Sequence, residues 1–422
     1  MSRGLFLGLF IFLFFLADLY IFGALKQLTK NWNLVNQRLL SFVYWSIPVI
    51  CILIFFGAFF LFNDRLSFKA RNFLASFIFI IYISKLFSGV ILILGDVLRV
   101  GQWSFRSISN LFQGNSGISD SNLDSDLPKI TRSEFITKTA LAVGATHIGA
   151  MGYGIISGAH DYRIRRIPLK LANLPVQFHG LKLAQISDIH SGSFFNKTAV
   201  KGGVDMLLAE KPDIVFFTGD LVNNEAKELT EYFDIFKQIQ APLGVFSTLG
   251  NHDYGDYTQW SSEKDKQANL KTLMEGHNLM GWQLMMDEHK RLKVDGEEIG
   301  IVGIQNWGKG FHQYGDLKKA LENTSDLPVK LLLSHDPSHW REQVLNKSEV
   351  DVSFAGHTHG MQYGVEIAGL KWSPVQWRYK EWAGLYQEGN QQLYVNRGYG
   401  YLGYPGRLGI LPEITIFELQ KG

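Results

Sequence analysis

Three long apolar runs near the beginning of the chain restrict its fold more than any other feature. They cover residues 5–25, 42–62 and 73–94, and each is long enough to cross a bilayer, since a spanning helix needs about 20 such residues. Residues 139–156 form a weaker fourth candidate because they are rich in Gly and Ala; a buried helix of a soluble domain is the alternative. We therefore predict a multi-pass integral membrane region over residues 1–158, an all-α bundle of three or four helices.

Two ionisable side chains interrupt these runs, Asp18 in the first and Lys85 in the third. Charges at membrane depth are costly and are usually paired. The first and third spans run in the same direction, and both charges lie a little past the middle of their span. We therefore predict an ion pair between Asp18 and Lys85. The alternatives are that each side chain reaches the interface separately or faces a polar cavity.

A polar segment and a basic patch separate the third run from the fourth. Residues 114–128 are rich in Ser, Asp and Asn and lack apolar periodicity, which predicts a flexible linker. Residues 131–136, TRSEFI, resemble a twin-arginine export signal in which one arginine is missing; an ordinary basic flank is the alternative. Because loop charges do not settle the orientation, only this patch favours an extracytoplasmic location for the rest of the chain.

Composition limits the classes of partner and ligand. The net charge is +2, so nucleic-acid binding is not expected. The single cysteine, Cys51, lies in an apolar run and cannot form a disulfide within the chain. Any metal site must therefore be built from His, Asp and Asn.

From about residue 159 the composition becomes that of a soluble α/β protein, and we assign residues 159–422 to a second domain. Short apolar runs of strand length alternate with charged stretches of helical length, at residues 197–211, 225–240 and 262–277. The continuous apolar character of the strands is typical of sheets that are buried on both faces.

Five of these apolar runs end in a sharp turn that carries Asp, Asn or His. The turns are Asp188-Ile189-His190, Gly219-Asp220, Gly250-Asn251-His252-Asp253, Ser334-His335-Asp336 and Gly356-His357-Thr358-His359. Ligand sites of open α/β sheets collect at the carboxyl ends of the strands. Mixed oxygen and imidazole ligation suits Mn, Fe or Zn better than Ca. The pattern predicts a site for two divalent metal ions, with Gly219, Gly250 and Gly356 permitting close backbone approach.

These five blocks, in this order, resemble the calcineurin-like metallophosphoesterase superfamily. The lead-in at residues 181–190 and the tail at residues 397–414 look like its membrane-anchored bacterial branch, the YkuE-like and YaeI-like phosphodiesterases. The resemblance covers about residues 160–420. It implies a four-layer α/β/β/α sandwich built on two stacked mixed sheets, and a hydrolase that cleaves phosphoester bonds by attack of a metal-bridging hydroxide.

The resemblance also implies roles for individual residues. The implied first metal has the ligands Asp188, His190 and His359; the second has Asn251, His335 and His357; and Asp220 bridges both. His252 would protonate the leaving oxygen, with a structural polar residue as the alternative. Asp253 would fix the His252 imidazole or would be a simple turn residue. Many relatives carry an acid where this chain has Asn223, which puts the orientation of the site in doubt.

Two arginines of the Gly- and Tyr-rich tail are candidates for substrate contact. Arg397 and Arg407 lie in the segment 396–409, which could close over the site and place an arginine on the phosphate. The alternative is a solvated loop whose tyrosines pack as a lid.

Several functions remain open from the sequence. The first is a membrane-anchored phosphodiesterase, with a lipid-linked substrate as one option and a lipid-linked nucleotide-sugar pyrophosphatase as a variant. The second is a membrane transport or sensor protein with a regulatory metal domain, supported only by Asp18 and Lys85. The third is an inactive scaffold, against which the complete ligand set argues.

Overall fold

A computed structural model describes residues 3–62, 65–112 and 131–422. The chain divides into two compact units, Met1–Gly152 and Tyr153–Gly422. The predicted linker at residues 114–128 lies outside the described residues.

The N-terminal unit consists of long apolar helices. They are α1 (Arg3–Leu28), α2 (Leu34–Phe56, continued by a π-helical turn at Gly57–Leu61), α3 (Phe68–Phe112) and α4 (Arg132–Ile156). Four segments in the described residues are long and apolar enough to cross a membrane. The fourth span is therefore confirmed as a helix of spanning length. The third helix is longer than the predicted residues 73–94. It has 45 residues and extends at its C-terminal end into a more polar segment.

An ion pair between Asp18 and Lys85 lies inside this unit, as predicted. Asp18 is 1% exposed. Its Oδ2 accepts a hydrogen bond from the Tyr82 hydroxyl at 3.1 Å, and its carbonyl oxygen accepts one from the Tyr44 hydroxyl at 2.9 Å. The Lys85 ammonium also lies 4.9 Å and 5.2 Å from the ring centroids of Tyr82 and Tyr44. The pair thus joins α1, α2 and α3 through charge, hydrogen bonds and aromatic faces.

The C-terminal unit is an α/β domain. Its helices are α5 (Lys197–Ala209), α6 (Phe233–Phe236), α7 (Glu263–Leu279) and α8 (Leu317–Ala320). Its strands are β1 (Arg163–Leu171), β2 (Lys182–Ile186), β3 (Ile214–Phe217), β4 (Val245–Ser247), β5 (Trp282–Leu284), β6 (Glu288–Val294), β7 (Glu297–Gly303), β8 (Lys330–Leu333), β9 (Val352–Ala355), β10 (Val365–Ile367), β11 (Leu370–Trp372), β12 (Gly384–Glu388), β13 (Gln391–Val395) and β14 (Glu413–Lys421).

The helix predicted at residues 225–240 is wrong as a continuous element. A 3₁₀ turn, Ala226–Leu229, and the short α6 replace it. The Glu228 carboxylate accepts hydrogen bonds from the backbone N–H groups of Asn223, Asn224 and Glu225. These bonds cap the beginning of the 3₁₀ turn, and residues 230–232 form a turn instead of continuing a helix.

Two six-stranded mixed sheets form the centre of this unit, in the orders β1-β14-β2-β3-β4-β5 and β12-β13-β9-β8-β7-β6. A core that includes Phe216, Phe246, Leu331 and Phe354 is buried between them. A second core joins the outer face of the first sheet to α5 and α7, and a third joins the other sheet to α8 and the π-helical turn Trp340–Val344. The predicted four-layer α/β/β/α sandwich is confirmed.

The strand directions bring the polar turns together. Strands β2, β3 and β4 are parallel neighbours in one sheet, and β8 and β9 are parallel neighbours in the other. The two groups meet where the backbone N–H of His357 donates to both carboxylate oxygens of Asp188, at 2.8 and 3.0 Å. The carboxyl ends of five strands therefore converge on one edge of the sandwich.

Candidate metal centre

The turns that end these strands have an unusual backbone. Five candidate ligands have left-handed φ values, between 48° and 70°: Asp188, His190, Asp220, His357 and His359. Each such residue costs of order 1–3 kcal/mol, and such residues cluster at functional sites. The turns are also tight: a Cβ on Gly250 would lie 2.2 Å from Asp220 Oδ1, and one on Gly356 would lie 2.1 Å from Asp188 Oδ2. A side chain at either position would displace these carboxylates, and one at position 356 would also collide with Ser187 Oγ.

The first group of candidate ligands is the predicted one, Asp188, His190 and His359. Their ligand atoms lie within 4.8 Å of one another, and all three residues are buried. The Nε2 atoms of His190 and His359 are 3.0 Å apart, and His359 Nε2 is 3.2 Å from Asp188 Oδ1. Three donor atoms thus point at one small volume.

The second group contains Asp220, His335 and His357. His335 Nε2 lies 3.1 Å from Asp220 Oδ2, and His357 Nδ1 lies 3.3 Å from His335 Nε2. Asn251 completes this group, because its Oδ1 is 2.9 Å from His357 Nδ1. All seven residues proposed as metal ligands are therefore brought together.

Asp220 connects the two groups through a single oxygen. Its Oδ2 lies 3.5 Å from His190 Nε2 and 3.1 Å from His335 Nε2. Its Oδ1 instead accepts a hydrogen bond from the backbone N–H of His252 at 2.9 Å. Asp220 Oδ2 would therefore be the oxygen available to a metal ion in either group, while Oδ1 fixes the orientation of the carboxylate.

The charges at the carboxyl ends of these strands favour the binding of a divalent cation. Burial raises the pKa of Asp188 to about 7, and the neighbouring Asp220 adds to the rise. Burial lowers the pKa of His190 to about 3, which keeps its imidazole neutral as metal binding requires. Burial would also lower the pKa of His335, but Asp220 and Asp188 raise it to about 10. The two carboxylates thus favour positive charge where the predicted ions would bind.

Groups behind the candidate ligands fix their orientation. His335 Nδ1 donates to the Thr218 carbonyl oxygen at 2.7 Å, which leaves Nε2 facing the site. His357 Nε2 lies 2.8 Å from the Tyr379 hydroxyl and 3.5 Å from Asp336 Oδ2. Such outer partners set the tautomer and direction of a metal-binding histidine. Sequence reasoning missed Asp336 in this role although it follows His335 directly, and no local signal pointed to Tyr379.

The predicted contact between Asp253 and the His252 imidazole is wrong. Asp253 accepts hydrogen bonds from the backbone N–H groups of Asp220, Leu221, Val222 and Gly250, at 2.8–3.2 Å. His252 Nδ1 instead donates to the Asn223 carbonyl oxygen at 2.8 Å. Asp253 therefore holds the turn that contains Asp220. The backbone carbonyl of Asn223 orients His252, and this contact does not depend on which side chain residue 223 carries.

The predicted substrate contact of the tail arginines is also wrong, because both side chains are buried and bound within the protein. Arg397 is 3% exposed and forms ion pairs with Glu413 and Glu366, at 2.5 and 2.8 Å. Arg407 is 1% exposed, and its Nη2 donates to His359 Nδ1 at 3.2 Å and to the Arg397 carbonyl oxygen at 2.8 Å. Arg407 therefore supports a candidate ligand rather than the substrate.

Substitution Arg407→Lys is expected to weaken metal binding by about 10–100-fold, the range for partners that orient metal ligands. A lysine ammonium cannot replace the planar fork that joins His359 to several carbonyl oxygens. The measurement is a titration of the full-length protein with Mn²⁺, with Arg341→Lys as the control, since Arg341 pairs with Glu381 and Glu388 instead. Equal Mn²⁺ affinity in Arg407→Lys and the unaltered protein would contradict this role.

Two cavities, each of about 450 Å³, adjoin the site. One includes Asn251 and Tyr257 in its lining, and the other includes Tyr379 and Arg378. Gly310 contributes to the lining of both cavities. The larger cavity of about 940 Å³ between Leu174 and Lys421 is lined by none of the candidate ligands. Asn251 is itself a candidate ligand and the Tyr379 hydroxyl contacts the candidate ligand His357, so both 450 Å³ cavities border the candidate metal centre.

The fold and the site together define a membrane-anchored metallohydrolase. Two family descriptions match the chain: "Probable Calcineurin-like phosphoesterase, transmembrane domain" over residues 2–159, and "Calcineurin-like phosphoesterase" over residues 181–361. The chain belongs to the calcineurin-like metallophosphoesterase family and is a metal-dependent hydrolase of phosphoester bonds.

Three relatives illustrate the range of the family. The chain is 30% identical to the metallophosphoesterase YkuE of Bacillus subtilis (strain 168), over 70% of this chain and 99% of that protein. It is 26% identical to the phosphodiesterase YaeI of Escherichia coli (strain K12), over 69% and 99% respectively. It is 28% identical to the UDP-2,3-diacylglucosamine pyrophosphatase LpxG of Chlamydia trachomatis, over 54% and 81%.

Proposed function

We propose that this protein is a phosphodiesterase that uses two divalent metal ions, held by the two ligand groups that share Asp220. The observation that carries the proposal is the position of Asp220 Oδ2 between His190 Nε2 and His335 Nε2, at 3.5 and 3.1 Å. Two bound ions would neutralise charge on the phosphoryl oxygens and lower the pKa of water at the site. Mn, Fe and Zn all suit the mixed donor set.

His252 assists the leaving group in this proposal. Its ring centroid lies 5.0 Å from that of His190, so the imidazole borders the first ligand group. Because Nδ1 donates to the Asn223 carbonyl oxygen, Nε2 faces the site, and in the imidazolium form its N–H is the group that can deliver a proton to the departing oxygen. The Tyr257 ring also packs against the His252 imidazole, with a centroid separation of 4.5 Å.

A diester substrate is supported by the two cavities. A phosphodiester carries a substituent on each side of the phosphorus, whereas a monoester carries one. The cavities beside Asn251 and beside Tyr379 offer a separate space for each substituent. The names of YaeI, a phosphodiesterase, and LpxG, a pyrophosphatase, agree with substrates that extend on both sides of the reacting phosphorus.

We place the catalytic unit outside the cytoplasm, on the basis of the signal-like residues 131–136.

The test compares an aryl phosphodiester with an aryl phosphomonoester, using the full-length protein in detergent after loading with Mn²⁺. We expect preferential diester hydrolysis, lost on chelation and lowered at least about 100-fold in Asp220→Asn, since even outer partners of metal sites reach that effect. Lys271→Gln, an exposed change on α7, is the control. Preferential monoester hydrolysis, or diester hydrolysis that survives chelation, would refute the proposal. Bound metal with hydrolysis of a pyrophosphate diester alone would favour the pyrophosphatase alternative.

A further inference from the structure

A small hairpin near the metal centre packs its charged face against the protein and exposes its apolar face, which is the reverse of the usual arrangement in a soluble protein. Strands β10 and β11 pair antiparallel, with Val365 opposite Trp372, Glu366 opposite Lys371 and Ile367 opposite Leu370. Ala368 and Gly369 form the connecting turn, both with positive φ, as a two-residue hairpin turn of this kind requires. Opposite residues of a hairpin share a face, so one face is apolar and the other is charged.

The charged face is the one that contacts the protein. Glu366 pairs with Arg165 and Arg397, at 2.7 and 2.8 Å. Lys371 lies over the rings of Trp382 and Tyr386, 5.0 and 5.3 Å from their centroids. These contacts fix the hairpin to the domain through its polar side and leave its apolar side outward.

The apolar face is correspondingly open to its surroundings. Ile367 is 70% exposed and Leu370 is 63% exposed. Trp377 extends this face: it is 78% exposed, and its ring lies 6.1 Å from that of Trp372. Contiguous exposed apolar surface of this kind marks an interaction site rather than ordinary surface.

The composition of the surroundings selects a lipid bilayer as the partner. Arg378 follows Trp377 directly, and Arg378 and Lys380 are both exposed. Aliphatic side chains beside tryptophan and basic residues are the composition of segments that lie in the headgroup region, where the indole ring sits at the interface and cations meet lipid phosphates. Only residues 157–162 separate α4, a helix of spanning length, from β1, so the unit is tethered directly to a membrane segment.

We propose that the surface formed by Val365, Ile367, Leu370, Trp372 and Trp377 inserts into the bilayer surface and presents membrane-embedded phosphodiesters to the metal centre. Tyr379 lies two residues beyond Trp377, and its hydroxyl is 2.8 Å from His357 Nε2. The apolar surface is thus connected through Trp377 and Tyr379 to the candidate ligand His357, and a lipid phosphate at this surface would enter the site from that side. The proposed docking to the bilayer depends only on the structure of the hairpin. The assignment of an amphiphilic substrate rests in addition on the proposed phosphodiesterase function.

The single cysteine makes docking directly measurable. In a Cys51→Ala background, Ile367→Cys is labelled with the environment-sensitive fluorophore NBD, and the full-length protein is placed in nanodiscs of anionic phospholipid. Lys293→Cys on β6, whose side chain is 64% exposed, is the matched control. We expect blue-shifted emission and quenching by brominated lipid for the label at residue 367, and neither for the label at residue 293.

Two results would overturn docking. In the first, the label at residue 367 shows the same emission and quenching as the label at residue 293. In the second, it is shielded only when two copies share a nanodisc, which would indicate contact with a second copy of the chain. The fluorescence measurement does not require catalysis, so it tests docking even if no diester is hydrolysed. Thermal unfolding of each labelled protein verifies that it is folded.

The substrate assignment has its own readout. Ile367→Glu combined with Leu370→Glu is expected to lower hydrolysis of a diacyl-anchored aryl phosphodiester in nanodiscs roughly tenfold or more, relative to a water-soluble aryl phosphodiester. Loss of one buried large aliphatic contact is sufficient for that factor. An unchanged ratio of the two activities would overturn the substrate assignment, whereas absence of hydrolysis of both diesters by the unaltered protein would refute the proposed function itself.

Discussion

Substitution His252→Ala is expected to lower kcat for an alkyl phosphodiester by about 10²–10⁴-fold, the usual range for a positioned general acid. The loss should be much smaller for an aryl phosphodiester, because an aryl oxide leaves without needing a proton. The geometry supports this difference: the His252 imidazole is held by the Asn223 carbonyl oxygen at 2.8 Å and borders the first ligand group through His190.

The measurement is kcat for both esters with the full-length protein, together with the bound metal content. His289→Ala is the control, since His289 lies on β6 and outside the ligand groups. Retained metal with a large alkyl-to-aryl difference would assign His252 to the leaving group. Equal losses for the two esters would mean that His252 acts only by shaping the site.

Removal of either charge of the Asp18–Lys85 pair is expected to destabilise the membrane unit by about 3–5 kcal/mol, the effect of leaving one buried charge without its partner. Asp18→Asn and Lys85→Met each leave such a group. The double variant should recover most of the loss, because no uncompensated charge remains. Asp18 also accepts a hydrogen bond from Tyr82 and is 1% exposed, so water cannot replace the lost partner.

Thermal unfolding in a matched detergent measures this effect. Glu134→Gln is the control, because the Glu134–Lys138 pair is exposed, with side chains 40% and 53% accessible, and such pairs contribute about 0–1 kcal/mol. Single variants as stable as the unaltered protein would contradict a structural role. A lost cellular phenotype with unchanged stability and hydrolysis would instead support the transport or sensor hypothesis.

The sequence alone was sufficient for features whose signal is local. Apolar length identified the spanning helices, because the bilayer thickness sets the number of residues that a helix needs. Polar turns after buried strands identified the candidate ligands, because parallel strands bring their carboxyl ends to one edge. The Asp18–Lys85 pair followed from the depth of the two charges in spans of the same direction, since an unpaired charge there is costly.

Only the tertiary structure decided which partner each polar group would find. Asp253 bonds to four backbone N–H groups instead of His252. Arg407 joins His359, which lies 48 residues earlier in the chain, to the carbonyl oxygens of Arg397, Gly398 and Gly400. Hydrogen-bonding capacity can be read from a residue type, but a buried donor binds whatever acceptor the packed chain brings within about 3 Å. The outward apolar face of the β10–β11 hairpin was settled in the same way, because Arg165 on β1 and Arg397, which follows β13, hold Glu366.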